Sequence, residues 1–288
     1  MPAYENRYWS SEDGLRLHYR DYAGPADRPP ILCLPGLTRN ARDFEGLAEQ
    51  LAGQWRVIAV DFRGRGESAY AKDPMSYVPA TYVRDIEALF GELAIDRYVA
   101  IGTSLGGIVT MLLAGTARAR PSAVLLNDIG PDIDPRGLSR LRGYVGKGGS
   151  FPTWMHAARA VAEVNAATHA DCAIEDWLAM AKRLYRLNSA GRIVLDYDMK
   201  IAEPFRMPGN EAGPDMWRAL ASLADVPTLV VRGERSDMLS AAVAERMVAA
   251  LGDATLVTVP GVGHAPLLTE PVLTAPIDAL LARATASA

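Results

Sequence analysis

The stretch from Tyr98 to Leu113 constrains the fold more than any other. An apolar run, Val99-Ala100-Ile101, meets Gly102-Thr103-Ser104-Leu105-Gly106 and then Gly107, after which Ile108, Val109, Met111, Leu112 and Leu113 form a second apolar run. This reads as strand, sharp turn and helix, with Ser104 at the apex. A G-x-S-x-G pentapeptide needs small residues two before and two after the serine, because larger side chains would collide with the strand or the helix. Such a turn lifts the hydroxyl to where a base can reach it. The helix starting at Leu105 also aims its unpaired N–H groups and positive dipole end at the same place, which suits a developing oxyanion.

The rest of the chain supplies the setting that this unit requires. Leu15, Leu17 and Tyr19 alternate with Arg16, His18 and Arg20, predicting a half-buried antiparallel strand with His18 on its polar, solvent-facing side. Ile31–Leu34, Val57–Val60 and Ala123–Leu126 are short continuous apolar runs, the pattern of strands buried on both faces of a parallel sheet. Helical stretches at about 41–52 and 82–93 separate them. Strand and helix alternate through residues 1–131, predicting a mostly parallel sheet flanked by helices. From 132 to 220 strong strand runs cease and helix-like stretches such as Trp154–Val164 and Ile174–Leu187 take over, which predicts an inserted helical cap. Alternation resumes over 221–288 with strands at Thr228–Arg232 and Thr255–Val259 and helices after each.

At 288 residues the chain is long enough for one large α/β domain carrying an insertion. The formal net charge of -4 comes from interspersed acidic and basic residues, so neither a nucleic-acid nor a membrane-surface partner is expected. Met1 to Arg20 is polar and mixed, which predicts no secretory leader and, by default, a cytoplasmic location. The 2 cysteines, Cys33 and Cys172, are too few for a disulfide framework or an ordinary metal site, and no cofactor or metal is expected. Cys33 lies inside an apolar run, where a buried, inert thiol is expected.

A serine needs a base, and the base needs an orienting acid. Of His18, His156, His169 and His264, His264 stands out, in a flexible Pro260-Gly261-Val262-Gly263-His264 loop after the last strand. The acid is expected between serine and histidine in chain order, just past a strand. Asp237 fits; Glu234 and Asp128 are rivals, the first read as bracing its turn and the second as shaping the cap entrance. The backbone N–H of Leu105 is one oxyanion donor. Leu37 is the other candidate, since Pro35 has no N–H and Gly36 is needed for the turn. Asp61-Phe62-Arg63-Gly64-Arg65-Gly66-Glu67-Ser68 has glycines around an arginine, but its spacing fits no nucleotide-binding fingerprint.

Together these residues resemble the α/β-hydrolase superfamily, in its single-chain, helical-capped branch. Gly102–Gly106 resembles the nucleophile elbow, Asp237 and His264 the rest of the triad, and Asp61–Ser68 the D-x-R-G-x-G-x-S loop. Pro35-Gly36 departs from the usual His-Gly, which bears on pocket shape. Ser104 argues against dehalogenases and epoxide hydrolases, whose nucleophile is an aspartate. Carbon–carbon bond hydrolases typically carry tryptophan directly after the histidine and a glycine-rich run after His-Gly; here Ala265 and Leu37-Thr38-Arg39-Asn40 stand instead.

The resemblance implies a serine hydrolase of small or medium carboxylic esters or lactones, working through an acyl-enzyme on Ser104. The alternatives are a carbon–carbon bond hydrolase of a vinylogous diketone and a non-catalytic or slow-turnover binding protein on the same fold. The partner is a small-molecule substrate; homo-oligomerisation is open. Arg140, Arg142, Arg183 and Arg186 lie in the cap region, where one could pair with a substrate carboxylate.

Overall fold

A computed structural model describes residues 3–165, 172–206 and 215–286; His169 lies outside them. The chain opens with β1 (Glu5–Ser10), β2 (Arg16–Tyr22) and β3 (Ile31–Leu34), followed by α1 (Glu45–Gln50), β4 (Val57–Asp61) and α2 (Pro79–Leu93). Then come β5 (Arg97–Thr103), α3 (Leu105–Thr116) and β6 (Arg120–Asn127). The next segment holds α4 (Pro135–Tyr144), β7 (Ser150–Phe151), α5 (Trp154–Asn165), α6 (Ile174–Leu184), β8 (Tyr185–Leu187), β9 (Ile193–Leu195), α7 (Glu203–Arg206) and α8 (Met216–Ala221). The chain closes with β10 (Thr228–Gly233), α9 (Ala241–Leu251), β11 (Ala254–Val259) and α10 (Pro271–Ala286).

Eight strands form one sheet in the order β1-β2-β4-β3-β5-β6-β10-β11. β2 pairs antiparallel with β1 and β4, while every pairing from β4 to β11 is parallel. The continuous apolar runs now have their reason, because helices cover both faces. Leu32, Val60, Ala100, Val124 and Val230 point to the face packed by α2, α3 and α9. Ile31, Ala59, Ile101, Leu125 and Val231, the alternate residues, point to the face packed by α1 and α10. A slip of one residue in any of these strands would exchange the two sets.

Three local expectations are corrected. His18 is 1% exposed, not surface-facing: β2 is an interior strand, and the ring spans from the Asp61 carboxylate to Asn6 Oδ1. The helix expected over 41–52 is a 3-10 turn, Ala41–Phe44, capped by the Asn40 side chain and leading into α1. Helix α6 stops at Leu184, three residues early, because Tyr185–Leu187 pairs antiparallel with Ile193–Leu195 in a three-stranded sheet β7-β9-β8. The segment between β6 and β10 is therefore not wholly helical. It has its own small core, where Ala157, Ala158 and Val161 of α5 meet Trp177, Met180 and Ala181 of α6. Burying side chains such as Trp177 contributes about 2 kcal/mol each, enough to hold two short helices together.

Candidate functional site

Strand β5 ends at Thr103 and α3 starts at Leu105, so a single residue makes the turn. Ser104 sits at φ 53°, ψ -116°, a conformation that ordinary side chains avoid. The flanking glycines are sterically required: a Cβ on Gly102 would lie 2.6 Å from the Gly106 carbonyl, and one on Gly106 would strike the Leu34 carbonyl oxygen. The Ser104 amide is itself anchored, donating to the Asn127 carbonyl of the neighbouring strand at 3.0 Å.

His264 lies on the loop after β11, and its Nε2 is 3.0 Å from Ser104 Oγ. Its Nδ1 is 2.8 Å from Asp128 Oδ2. With a carboxylate on the Nδ1 side, the ring proton belongs on Nδ1, which leaves the Nε2 lone pair to accept the serine O–H. Asp128 is fully buried, directly past β6, and has φ 56°. Its carboxylate is locked in place: Gly233 N–H donates to Oδ1 at 2.9 Å, and the Ser236 hydroxyl donates to Oδ2 at 2.7 Å. Two backbone positions in the left-handed region thus flank one imidazole, a concentration of strain that marks functional sites.

Asp237, the residue expected to meet the histidine, does not do so. Ser236 Oγ accepts the N–H groups of Met238 and Leu239, and the turn so formed directs Asp237 at α4. There Arg140 grips it with two bonds, Nε to Oδ2 at 2.6 Å and Nη2 to Oδ1 at 2.8 Å. Those hydrogen bonds hold the Asp237 carboxyl below its usual range; burial opposes them, and the nearby Arg140 and His264 charges reinforce them. Gly137 of α4 packs directly against the Asp237 carbonyl, closing the approach. The Glu234 side chain accepts the Gly261 N–H at 2.7 Å, so it braces the loop after β11 and not its own turn. A signal for Asp128 exists in the sequence, since it follows the apolar run Ala123–Leu126. What the linear order does not show is that β6 lies between the strand carrying Ser104 and the strand before Ser236.

Ser104, Leu37 and His264 border a cavity of about 370 Å³ between the sheet's C-terminal edge and the segment that follows β6. No acceptor among the described residues takes the N–H of Leu37 or Leu105. The turn at Gly36 approaches the nucleophile closely, a Cβ there falling 3.7 Å from Ser104 Cβ. Of the four arginines singled out above, only Arg140 reaches this cavity. Arg142 is exposed, and Arg186 pairs with Asp196 at 3.2 Å. Arg183 lies off the cavity with a buried Nε that has no hydrogen-bond partner among the described residues, and burial together with Arg39 lowers its pKa.

Two wall cations escaped the sequence reading. Arg39 is bonded to Asp43; burial pulls its pKa down, but the Asp43 charge and hydrogen bonds together hold the guanidinium above its ordinary pKa. Lys147, past the end of α4, is exposed and has no ion-pair partner among the described residues. No group of three or more His, Cys, Asp and Glu side chains among the described residues is placed to hold a metal ion. Nor is any described helix long and apolar enough to cross a membrane.

Residues 31–277 match the model of the alpha/beta hydrolase family. The chain belongs to that family. This α/β hydrolase is 34% identical over 263 residues to a 3-hydroxybutyrate-oligomer hydrolase of Cupriavidus necator, covering 89% of each chain. It is 28% identical to a 2-(acetamidomethylene)succinate hydrolase of Mesorhizobium japonicum, over 87% of this chain and 88% of that one. A crystal structure of an α/β hydrolase from Novosphingobium aromaticivorans superposes with a TM-score of 0.94 at 57% identity, covering 98% of this chain and 99% of the other. The sheet order, the helices on both faces and these likenesses agree on the fold and on hydrolysis as the type of reaction.

Proposed function

We propose that this α/β hydrolase is a serine hydrolase of carboxylic esters, with short oligomers of a hydroxy acid as its substrate class and lactones as related substrates. The observation that carries the reading is the hydrogen-bonded chain from Ser104 Oγ through His264 to Asp128, at 3.0 Å and 2.8 Å, opening onto the cavity. Segment 132–220 would serve as the cap that shapes that cavity and excludes water.

The geometry supports the following reaction. As Ser104 Oγ bonds to the ester carbonyl carbon, its proton moves to His264 Nε2, and the carbonyl oxygen becomes an oxyanion facing the N–H groups of Leu37 and Leu105. Asp128 stabilises the imidazolium and holds its tautomer. The carbon–oxygen bond then breaks and His264 gives the proton to the leaving alkoxide. Water next attacks the acyl-enzyme, with its proton passing to His264; the acid leaves, and the proton returns to Ser104.

The substrate class rests on the walls. A volume of about 370 Å³ falls within the roughly 300–1,000 Å³ of small-molecule sites and suits a short acyl chain better than a long one. A hydroxy-acid oligomer ends in a free carboxylate, and Lys147 is the wall cation with no counter-ion among the described residues. The relative named for 3-hydroxybutyrate oligomers favours this class. The relative named for 2-(acetamidomethylene)succinate, also an anion, favours small carboxylated amides as a second class at the same site.

The test is hydrolysis of a 3-hydroxybutyrate dimer, as free acid and as methyl ester, by the wild type, Ser104→Ala and Lys147→Met. Ser104→Ala should be silent on both. Lys147→Met should raise KM for the free acid about tenfold and leave the methyl ester unchanged, as expected for a charge-assisted bond of about 1.5 kcal/mol. Full turnover by Ser104→Ala would overturn the mechanism, and equal KM changes for both compounds would overturn the carboxylate reading.

A further inference from the structure

The chemistry above makes no use of the loop Asp61–Ser68, yet that loop carries a charge with an unusual environment. Arg65 is 0% exposed. Its Nε donates to the Leu37 carbonyl at 2.6 Å, one Nη to the Arg63 carbonyl at 2.7 Å, and the other to the Tyr82 hydroxyl at 3.2 Å. The guanidinium also lies 5.1 Å from the Tyr82 ring centroid. Its neighbour Arg63, almost as deeply buried, is gripped by the carboxylates of Asp85 and Asp13. Arg65 has no such partner among the described residues, and every acceptor it meets is neutral. Burying a cation without a counter-ion costs stability, so its presence there calls for a use.

The use is visible in what Arg65 holds. Leu37 is the second residue of a turn closed by the Arg39 N–H donating to the Gly36 carbonyl at 3.1 Å. In the peptide unit joining Gly36 to Leu37 the carbonyl is thereby occupied, and the Leu37 N–H points the opposite way. The next peptide unit has its carbonyl on Arg65. Four residues beyond Leu37, Asp61 Oδ1 accepts the Ala41 N–H at 2.7 Å, so one loop grips both ends of the segment that bears the Leu37 donor. The loop is braced from its other side by the segment after β9, where Gly64 accepts from Asp198 N–H at 2.7 Å and Gly66 N–H donates to Asp196 at 3.1 Å.

We infer that Arg65 is a positioning residue for oxyanion binding: through the Leu37 carbonyl it fixes the turn that presents the Leu37 N–H to Ser104, and its unneutralised charge favours negative charge there. The inference rests on the serine-hydrolase reading above. It goes further by giving the Asp61–Ser68 loop a part in the transition state and not only in the fold. Preorganised donors and charges of this kind act on the transition state and leave ground-state binding nearly unchanged.

The test compares two ligands of the wild type, Arg65→Met and Arg65→Lys. One is a trifluoromethyl ketone analogue of the ester, in which Ser104 Oγ bonds to the ketone carbon, the serine proton passes to His264 and the ketone oxygen becomes the oxyanion. The other is the ether analogue with a methylene in place of the carbonyl, which forms no oxyanion. Arg65→Met should lower kcat about 100-fold with KM within about twofold, weaken the ketone by the same factor and leave the ether unchanged. Arg65→Lys retains a buried charge and a single donor centre, so it should fold even if the methionine variant does not, and lose about tenfold in both kcat and ketone affinity. Ketone affinity within twofold of the wild type in a folded variant, or ketone and ether weakening in parallel, would overturn the inference alone. Failure of the wild type to form the ketone adduct would overturn the serine-hydrolase reading and this inference with it.

Discussion

Replacing Asp128 and Asp237 separately with asparagine discriminates between the two carboxylates near His264. In Asp128→Asn the shape is kept, but an amide nitrogen cannot accept the Nδ1 proton. The ring is then driven to the tautomer that leaves Nε2 protonated and unable to take the serine proton. In the serine-protease triad the same change lowers kcat about 10⁴-fold, which corresponds to about 5.4 kcal/mol of transition-state stabilisation. Asp128 also satisfies a buried N–H and a buried hydroxyl, so a further loss of about 2 kcal/mol in folding stability is expected. Asp237→Asn breaks only the pair with Arg140, whose side chains are 30% and 37% exposed. A partly exposed ion pair of this kind is worth about 1 kcal/mol or less, and kcat should fall less than about fivefold. Initial rates of ester hydrolysis at saturating substrate measure both, with thermal melts verifying that each variant is folded. A loss of a thousandfold in Asp237→Asn, with Asp128→Asn within tenfold of the wild type, would refute the geometry and return the role to Asp237.

Other predictions concern acid stability and thiol reactivity. The hydrogen bonds from Arg63 hold the Asp13 carboxyl down at about 2. A carboxyl with a depressed pKa in the folded state adds stability that is fully present above its ordinary range and is lost as pH falls toward 2. Because the Asp13 side chain is 55% exposed, solvent screening limits that contribution to about 1 kcal/mol. In urea titrations Asp13→Asn should therefore be less stable than the wild type at pH 7, with the gap closing near pH 2.5; a gap independent of pH would contradict this. Burial pushes the Cys33 thiol far above its usual pKa, so a thiol reagent should leave Cys33 unlabelled in native protein and label it on unfolding. Labelling of Cys33 at the rate of an exposed cysteine would show that β3 is not packed as described.

Much of this was legible in the sequence because the strongest signals are local. The apolar runs of β3 to β6 and the Gly102–Gly106 turn carry their own steric reasons, and His264 follows from its place after the last strand. Asp128 is visible in the sequence as a rival, but which of it and Asp237 meets His264 depends on strand order and on Arg140 reaching across from α4, both long-range facts. His18 follows the same rule: alternation marks a polar face, but only the register of β2 against β4 places Asp61 against that ring. Strands β7, β8 and β9, of two or three residues, are too short to carry a period of two. Lys147 sits in a glycine-rich stretch whose path is set by packing and not by pattern.

Hydrolysis by this route passes an acyl group from the ester to Ser104 Oγ. Mixing enzyme with a 3-hydroxybutyrate dimer, quenching in acid within the first turnover and measuring intact mass, followed by peptide mapping, tests it most directly. The expected result is an adduct of one hydroxybutyryl group on Ser104 that is absent from Ser104→Ala and decays as the acid is released. Product formed at full rate with no adduct at any quench time, or an adduct on another residue, would contradict it.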